Sequence, residues 1–202
     1  MAERAKRRFA KAAYARRLVR QWADRGFQPP APQFVKESVL AHHSPKDATW
    51  VETGTFRGET AAFLSAISKR VYSIEPEPTL YAAAVARFSD TPSVTVINGT
   101  SEDVLPLLVP ESTGDVAFWL DGHYSAGVTF KGSMETPIAA ELDEIGRALS
   151  NFGDTAVFVD DIRLFGQDDA YPPLRFLVAW ADRHGLAWMI EHDIFIAEKA
   201  AS

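Results

Sequence analysis

From residue 48 onward the chain alternates short, β-branched, nearly continuous apolar runs with helical stretches, and that alternation restricts the fold more than any other feature. The strand-like runs are Thr49 to Glu52, Arg70 to Ile74, Val94 to Asn98, Val116 to Asp121, Ala156 to Asp160, Leu186 to Ile190 and Ile194 to Ala197. Helical patterns separate the first six, over Glu59–Lys69, Pro78–Phe88, Asp103–Leu108, Pro137–Leu149 and Pro173–His184. Strands that are apolar on both faces and alternate with helices predict a parallel sheet covered on each side. Only Glu191-His192-Asp193 separates the last two runs. Three residues are too few for a parallel crossover, so the final strand must run antiparallel. The expectation is an α/β fold of three layers with a seven-stranded, mostly parallel sheet.

Ahead of this pattern stands a different segment. Residues 1–25 carry nine Lys or Arg against Glu3 and Asp24, and Phe9, Ala13, Leu18 and Trp22 fall roughly on one helical stripe. Gly26 stops the helix, and Gln28-Pro29-Pro30-Ala31-Pro32 is a stiff connector. We divide the chain into a basic helix with linker at 1–32 and a domain at 33–202, opening with a short helix over 33–42. The net charge is −6, so the rest of the chain is strongly acidic, which argues against general nucleic-acid binding by the domain. Cysteine is absent, which excludes disulfides and cysteine-ligated zinc. No apolar run approaches the ~20 residues of a membrane span. The basic N-terminus lacks a signal-peptide apolar core, and the expected location is the cytoplasm.

In a doubly wound sheet, ligands sit beyond the carboxyl ends of the strands. Five ends carry polar groups here: Glu52 and Gly54, then Glu75, then Asn98 to Glu102, then Asp121 to Ser125, then Asp160-Asp161. A tight glycine turn after the first strand and an acid closing the second suit a nucleoside-bearing cofactor, the acid holding a ribose diol. The spacing selects the cofactor. A dinucleotide fingerprint is G-x-G-x-x-G, whereas this chain has Gly54-x-x-x-Gly58 preceded by Glu52. An acid there repels phosphate and accepts from an ammonium, which points to S-adenosylmethionine and away from a nicotinamide dinucleotide. Asp121, Asp160 and Asp161 end neighbouring strands, and three hard oxygen donors suit Mg²⁺, Mn²⁺ or Ca²⁺.

With those motifs in view, residues 48 to 199 resemble the class I S-adenosylmethionine-dependent methyltransferases, a Rossmann-like fold. Within that class the chain is most similar to small metal-dependent O-methyltransferases of the catechol and macrolide-sugar types. The resemblance implies that Glu52, Thr53, Gly54 and Gly58 wrap the methionine part of the cofactor. It implies that Glu75 binds the ribose, that Ser101 and Glu102 border the adenine, and that Asp121 serves both the cofactor and a divalent metal with Asp160 and Asp161. The acceptor would be a small molecule with a hydroxyl group. His123 is the candidate base, because the lysine those enzymes place three residues after the fourth-strand Asp has no counterpart near Tyr124 or Ser125. That departure, with the basic arm, motivates the alternative of a catalytically inactive cofactor-binding or partner-binding module. The loop Ser125 to Thr136 is read as a substrate lid, the N-terminal helix as a cover over the pocket, and Arg163 as a partner for one aspartate. A homo-oligomer is left open.

Overall fold

The computed structural model of the protein describes residues 2–121 and 136–199. His123 and the lid segment up to Glu135 lie outside them. The described strands are β1 (Thr49–Thr53), β2 (Arg70–Glu75), β3 (Val94–Asn98), β4 (Gly114–Leu120), β5 (Phe152–Val159), β6 (Leu186–Glu191) and β7 (Ile194–Lys199). They form one sheet in the order β3-β2-β1-β4-β5-β7-β6. Every pairing from β3 to β5 is parallel, and β7 is antiparallel to both β5 and β6. The strand count, the mostly parallel sheet and the antiparallel last strand are therefore as the sequence implies.

The register fixes where chemistry can sit. Thr53 pairs with Ile74 and with Leu120, Leu120 with Val159, and Glu75 with Asn98. The five parallel strands thus end level, and Gly54, Asp121 and Asp160 emerge at the same edge. Chain order reverses between β1 and β4, the position at which open α/β sheets form a ligand crevice.

Helices cover both faces. Helix α1 spans Ala2–Asp24, α2 Gln33–His43, α3 Glu59–Ile67, α4 Pro78–Arg87, α5 Ser101–Leu108, α6 Ile138–Ala148 and α7 Arg175–Arg183. On one face Leu105, Ile138, Leu142, Ile145, Leu177 and Trp180 pack against Val51, Phe118 and Val157. On the other, Val39, Leu40, Ala61 and Leu64 pack against Trp50, Val71 and Phe158, with Trp50 and Phe158 stacked at 5.5 Å. This is the period-two division of a strand, odd-numbered β1 residues to one layer and even-numbered to the other. No helix among the described residues is long and apolar enough to cross a membrane.

Two boundaries differ from the sequence reading in a way that matters. Helix α5 starts at Ser101 rather than Asp103, because the Thr100 hydroxyl caps it by accepting from the Asp103 N–H at 3.3 Å. Strand β5 starts at Phe152 rather than Ala156, because its first residues pair with β4 across an irregularity between Gly114 and Val116. The end of α1 is anchored away from the carboxyl edge. Trp22 is buried, donates its indole N–H to the Gln28 carbonyl at 2.9 Å and packs edge-on against His192 in the β6–β7 turn. Among the described residues ahead of β1, Pro30 of the linker and Gln33 and Lys36 of helix α2 line the carboxyl-edge cavity.

Candidate cofactor and active site

A cavity of about 430 Å³ opens along the carboxyl edge, from the ends of β2 and β3 across β1 and β4 to β5. Of the residues singled out in the sequence, Thr53, Gly54, Glu75, Ser101, Glu102, Asp121, Asp160 and Asp161 line it. Glu52 and Gly58 do not.

Glu52 lies one residue before the cavity wall and, by strand alternation, points to the opposite layer. It is buried beside its register partner Ser73, whose hydroxyl donates to Oε2, and Ser73 in turn lies 2.6 Å from the Thr55 hydroxyl. Burial pushes the Glu52 carboxyl up to about 8 against the pull of the Ser73 hydroxyl, with Asp121 and Glu75 adding to the rise. Gly58 serves the turn: it is left-handed (φ 70°) at the start of α3, and a Cβ there would meet the Phe88 ring at 2.8 Å. Gly54, also at positive φ (87°), is the glycine that brings bare backbone to the cavity.

Glu75 is built as a fixed acceptor. Its Oε2 accepts from the Phe56 N–H at 2.7 Å and its Oε1 from the Glu77 N–H at 3.0 Å. Each carboxylate oxygen offers two acceptor sites, so two remain for a ligand. Asn98 locks the neighbouring strand end by donating to the Glu75 carbonyl at 2.9 Å. Ser101 and Glu102 stand in the first turn of α5, where the Ser101 hydroxyl donates to Glu102 at 3.3 Å.

At the other end, Asp121, Asp160 and Asp161 present carboxylate oxygens within 4.8 Å of one another. Asp161 is held at φ 54° and donates its N–H to Asp160 Oδ1 at 2.8 Å. Arg163 pairs with Asp161 Oδ1 at 2.5 Å and also with Asp193, so the expected arginine–aspartate pair is present. Burial raises the Asp160 carboxyl to about 6, opposed by Lys36 and assisted by the charges of Asp161 and Asp121.

Two residues of this cavity escaped the sequence reading. Lys36, from α2, places its ammonium 2.5 Å from Asp160 Oδ2 and 3.6 Å from Asp161 Oδ1, with its side chain only 10% exposed. Its signal is a lysine on the apolar stripe, three and four residues before buried Val39 and Leu40. Glu141, from α6, is 1% exposed, and neither carboxylate oxygen has a hydrogen-bond partner among the described residues. It too sits on an apolar face, between Ile138, Leu142 and Ile145. Burial pushes its carboxyl up to about 7, with the nearby Ser101 and Thr53 hydroxyls pulling the other way.

Seven carboxyl groups line the cavity, from Glu75, Glu77, Glu102, Asp121, Glu141, Asp160 and Asp161, against the two cations Lys36 and Arg163. Such a wall suits a cationic ligand without phosphate.

No family profile and no curated protein matches the chain. Solved structures do match its fold. A candidate methyltransferase from Streptococcus mutans, solved in complex with S-adenosylhomocysteine (SAH), aligns with a TM-score of 0.58 and 16% identity over 86% of this chain and 100% of its own. An N-methyltransferase, NodS, from Bradyrhizobium japonicum aligns with a TM-score of 0.56 and 12% identity over 81% and 91%. An rRNA methylase from Streptococcus thermophilus aligns with a TM-score of 0.53 and 18% identity over 85% and 97%. The chain thus has the Rossmann-like fold of class I methyltransferases, a fold these proteins apply to different acceptors.

Proposed function

We propose that the protein is an S-adenosylmethionine-dependent methyltransferase acting on a hydroxyl group of a small molecule. The observation that carries this reading is Glu75, a buried carboxylate with both oxygens tied to backbone N–H groups, facing an acidic cavity that Gly54, Ser101 and Glu102 also line. Glu75 would take the ribose hydroxyls, Thr53 and Gly54 the methionine part, and Ser101 and Glu102 the adenine border. Glu52 would support the turn from behind it. The sulfonium and the α-ammonium of the cofactor match the excess of carboxylates. The SAH-bound Streptococcus mutans structure supports the same cofactor.

Transfer is a displacement at the methyl carbon. The acceptor oxygen forms the new C–O bond as the C–S bond breaks, and the sulfonium leaves as a neutral thioether. Most of the acceleration comes from holding the two in line. The hydroxyl proton leaves to a base, for which His123 remains our candidate by its place two residues beyond Asp121. We further propose that Asp121, Asp160 and Asp161 can hold a divalent cation such as Mg²⁺, since three hard oxygens within 4.8 Å match its chemistry. Bound there, the ion would lower the pKa of the acceptor hydroxyl. Lys36 competes for that position and must withdraw from Asp160 to admit the ion. Without the ion, its ammonium is the positive charge beside the acceptor.

Incubation with methyl-labelled S-adenosylmethionine and a panel of catechols, phenols, sugars and total RNA tests this reading. The expected result is label in one class of small hydroxyl compound and none in RNA. Label in RNA overturns the acceptor class, and the basic segment at 1–25 is why RNA belongs in the panel. No label in any acceptor, with SAH still bound, supports the inactive binding module. Activity that collapses in EDTA and returns with Mg²⁺ supports the metal; equal activity in both leaves Lys36 as the working cation.

A further inference from the structure

We infer that Glu141 is the group that reads the exocyclic amine of the adenine, an assignment that rests on the cofactor proposed above. A carboxyl at 1% exposure with no hydrogen-bond partner among the described residues has given up water without replacement. On a helix face otherwise apolar at Ile138, Leu142 and Ile145, an apolar side chain would be more stable. A buried carboxyl with acceptor capacity to spare, facing a cavity, describes a site that lacks its ligand's donor.

The position selects the base over the amino-acid end. A second cavity of about 180 Å³ lies between α5 and α6, and it shares Ser101, Glu102 and Glu141 with the main one. Its remaining wall includes Leu105, Pro106 and Ala140, suited to the flat face of a heterocycle. Asp160 and Asp161, with Lys36, lie at the β5 end of the main cavity, whereas Ser101 and Glu102 follow β3 at its other end. A purine lying toward α5 therefore presents its amine edge to Glu141. Part-protonated near neutrality, this carboxyl offers one acceptor and one donor, the pair with which a side-chain amide grips adenine.

The test compares SAH with S-inosylhomocysteine, which carries an oxygen in place of the amine, by titration calorimetry on the full chain. Wild type is expected to prefer SAH by about tenfold or more. Glu141→Leu, with Glu141→Ala beside it, should lose SAH affinity by about tenfold and leave S-inosylhomocysteine nearly unchanged, which abolishes the preference. The unliganded Glu141→Leu protein should melt at or above the wild-type temperature, so the loss cannot be misfolding. Equal losses for both ligands, or no loss for either, overturn the assignment of Glu141. Wild type that binds neither ligand overturns the cofactor reading itself.

Discussion

Asp160→Ala is expected to reduce methyl transfer on the order of 10²-fold or more while leaving SAH affinity nearly unchanged. Asp160 closes β5 at the opposite end of the cavity from Glu75 and Ser101, so the cofactor contacts we propose remain. The substitution also strands Lys36. Its ammonium, 10% exposed and 2.5 Å from Asp160, would keep only Asp161 at 3.6 Å. Removing one partner of a buried pair costs roughly 3 kcal/mol, because the other charge loses its compensation. Replacing both partners by apolar residues is different, since the desolvation of two ions disappears with their attraction. The double variant Lys36→Met with Asp160→Leu should therefore regain most of the stability lost in Asp160→Ala and none of the activity. Urea denaturation and turnover on the same three proteins check this. Full turnover in Asp160→Ala, or a double variant as unstable as the single one, contradicts the account.

Glu52→Gln should stabilise the protein, and by more at pH 8 than at pH 5. The folded-state pKa is about 8, against an ordinary value of 4.5, and burial is the main cause. Below 4.5 the carboxyl is protonated in both folded and unfolded chains and contributes no difference. As pH rises from 4.5 towards 8, the unfolded chain ionises while the folded one retains its proton, so folding stability falls. Above 8 the loss is complete and constant, on the order of a few kcal/mol. Glutamine keeps an oxygen to accept from Ser73 and does not titrate. Its advantage should be small at pH 5, where the unfolded carboxyl has only begun to ionise, and largest at pH 8 and above. Denaturation curves at both pH values decide it. A difference that is constant with pH, or that shrinks as pH rises, contradicts a buried neutral Glu52.

The strand-and-helix alternation made the sheet legible, and the three-residue link after Glu191 made the antiparallel last strand legible. The cavity was half visible for a related reason. Residues that close strands are adjacent in space whenever the strands end level, as the pairing of Thr53, Leu120 and Val159 shows. That brought Glu75, Asp121, Asp160 and Asp161 together from sequence order alone. Glu52 does not join them on the cavity wall. A strand alternates its faces, and Glu52 shares the parity of Trp50, whose side packs against α2 and α3, whereas Thr53 shares that of Val51. Lys36 and Glu141 were missed because they enter from helices, where nothing in the linear order ties them to a strand end. Each did leave a trace, as a charged residue on the apolar stripe of its own helix. Such a residue must find a partner in the core or a ligand at its edge. Lys36 has the first; Glu141, with no cation beside it among the described residues, points to the second.

We propose above all that the carboxyl-edge cavity binds S-adenosylmethionine through Glu75. Calorimetric titration of the protein with SAH tests it most directly, with Glu75→Ala as the comparison. One SAH should bind per chain with affinity in the micromolar range, weakened about tenfold or more by Glu75→Ala. No binding to the wild-type protein at high micromolar SAH, or equal binding to both proteins, would contradict it.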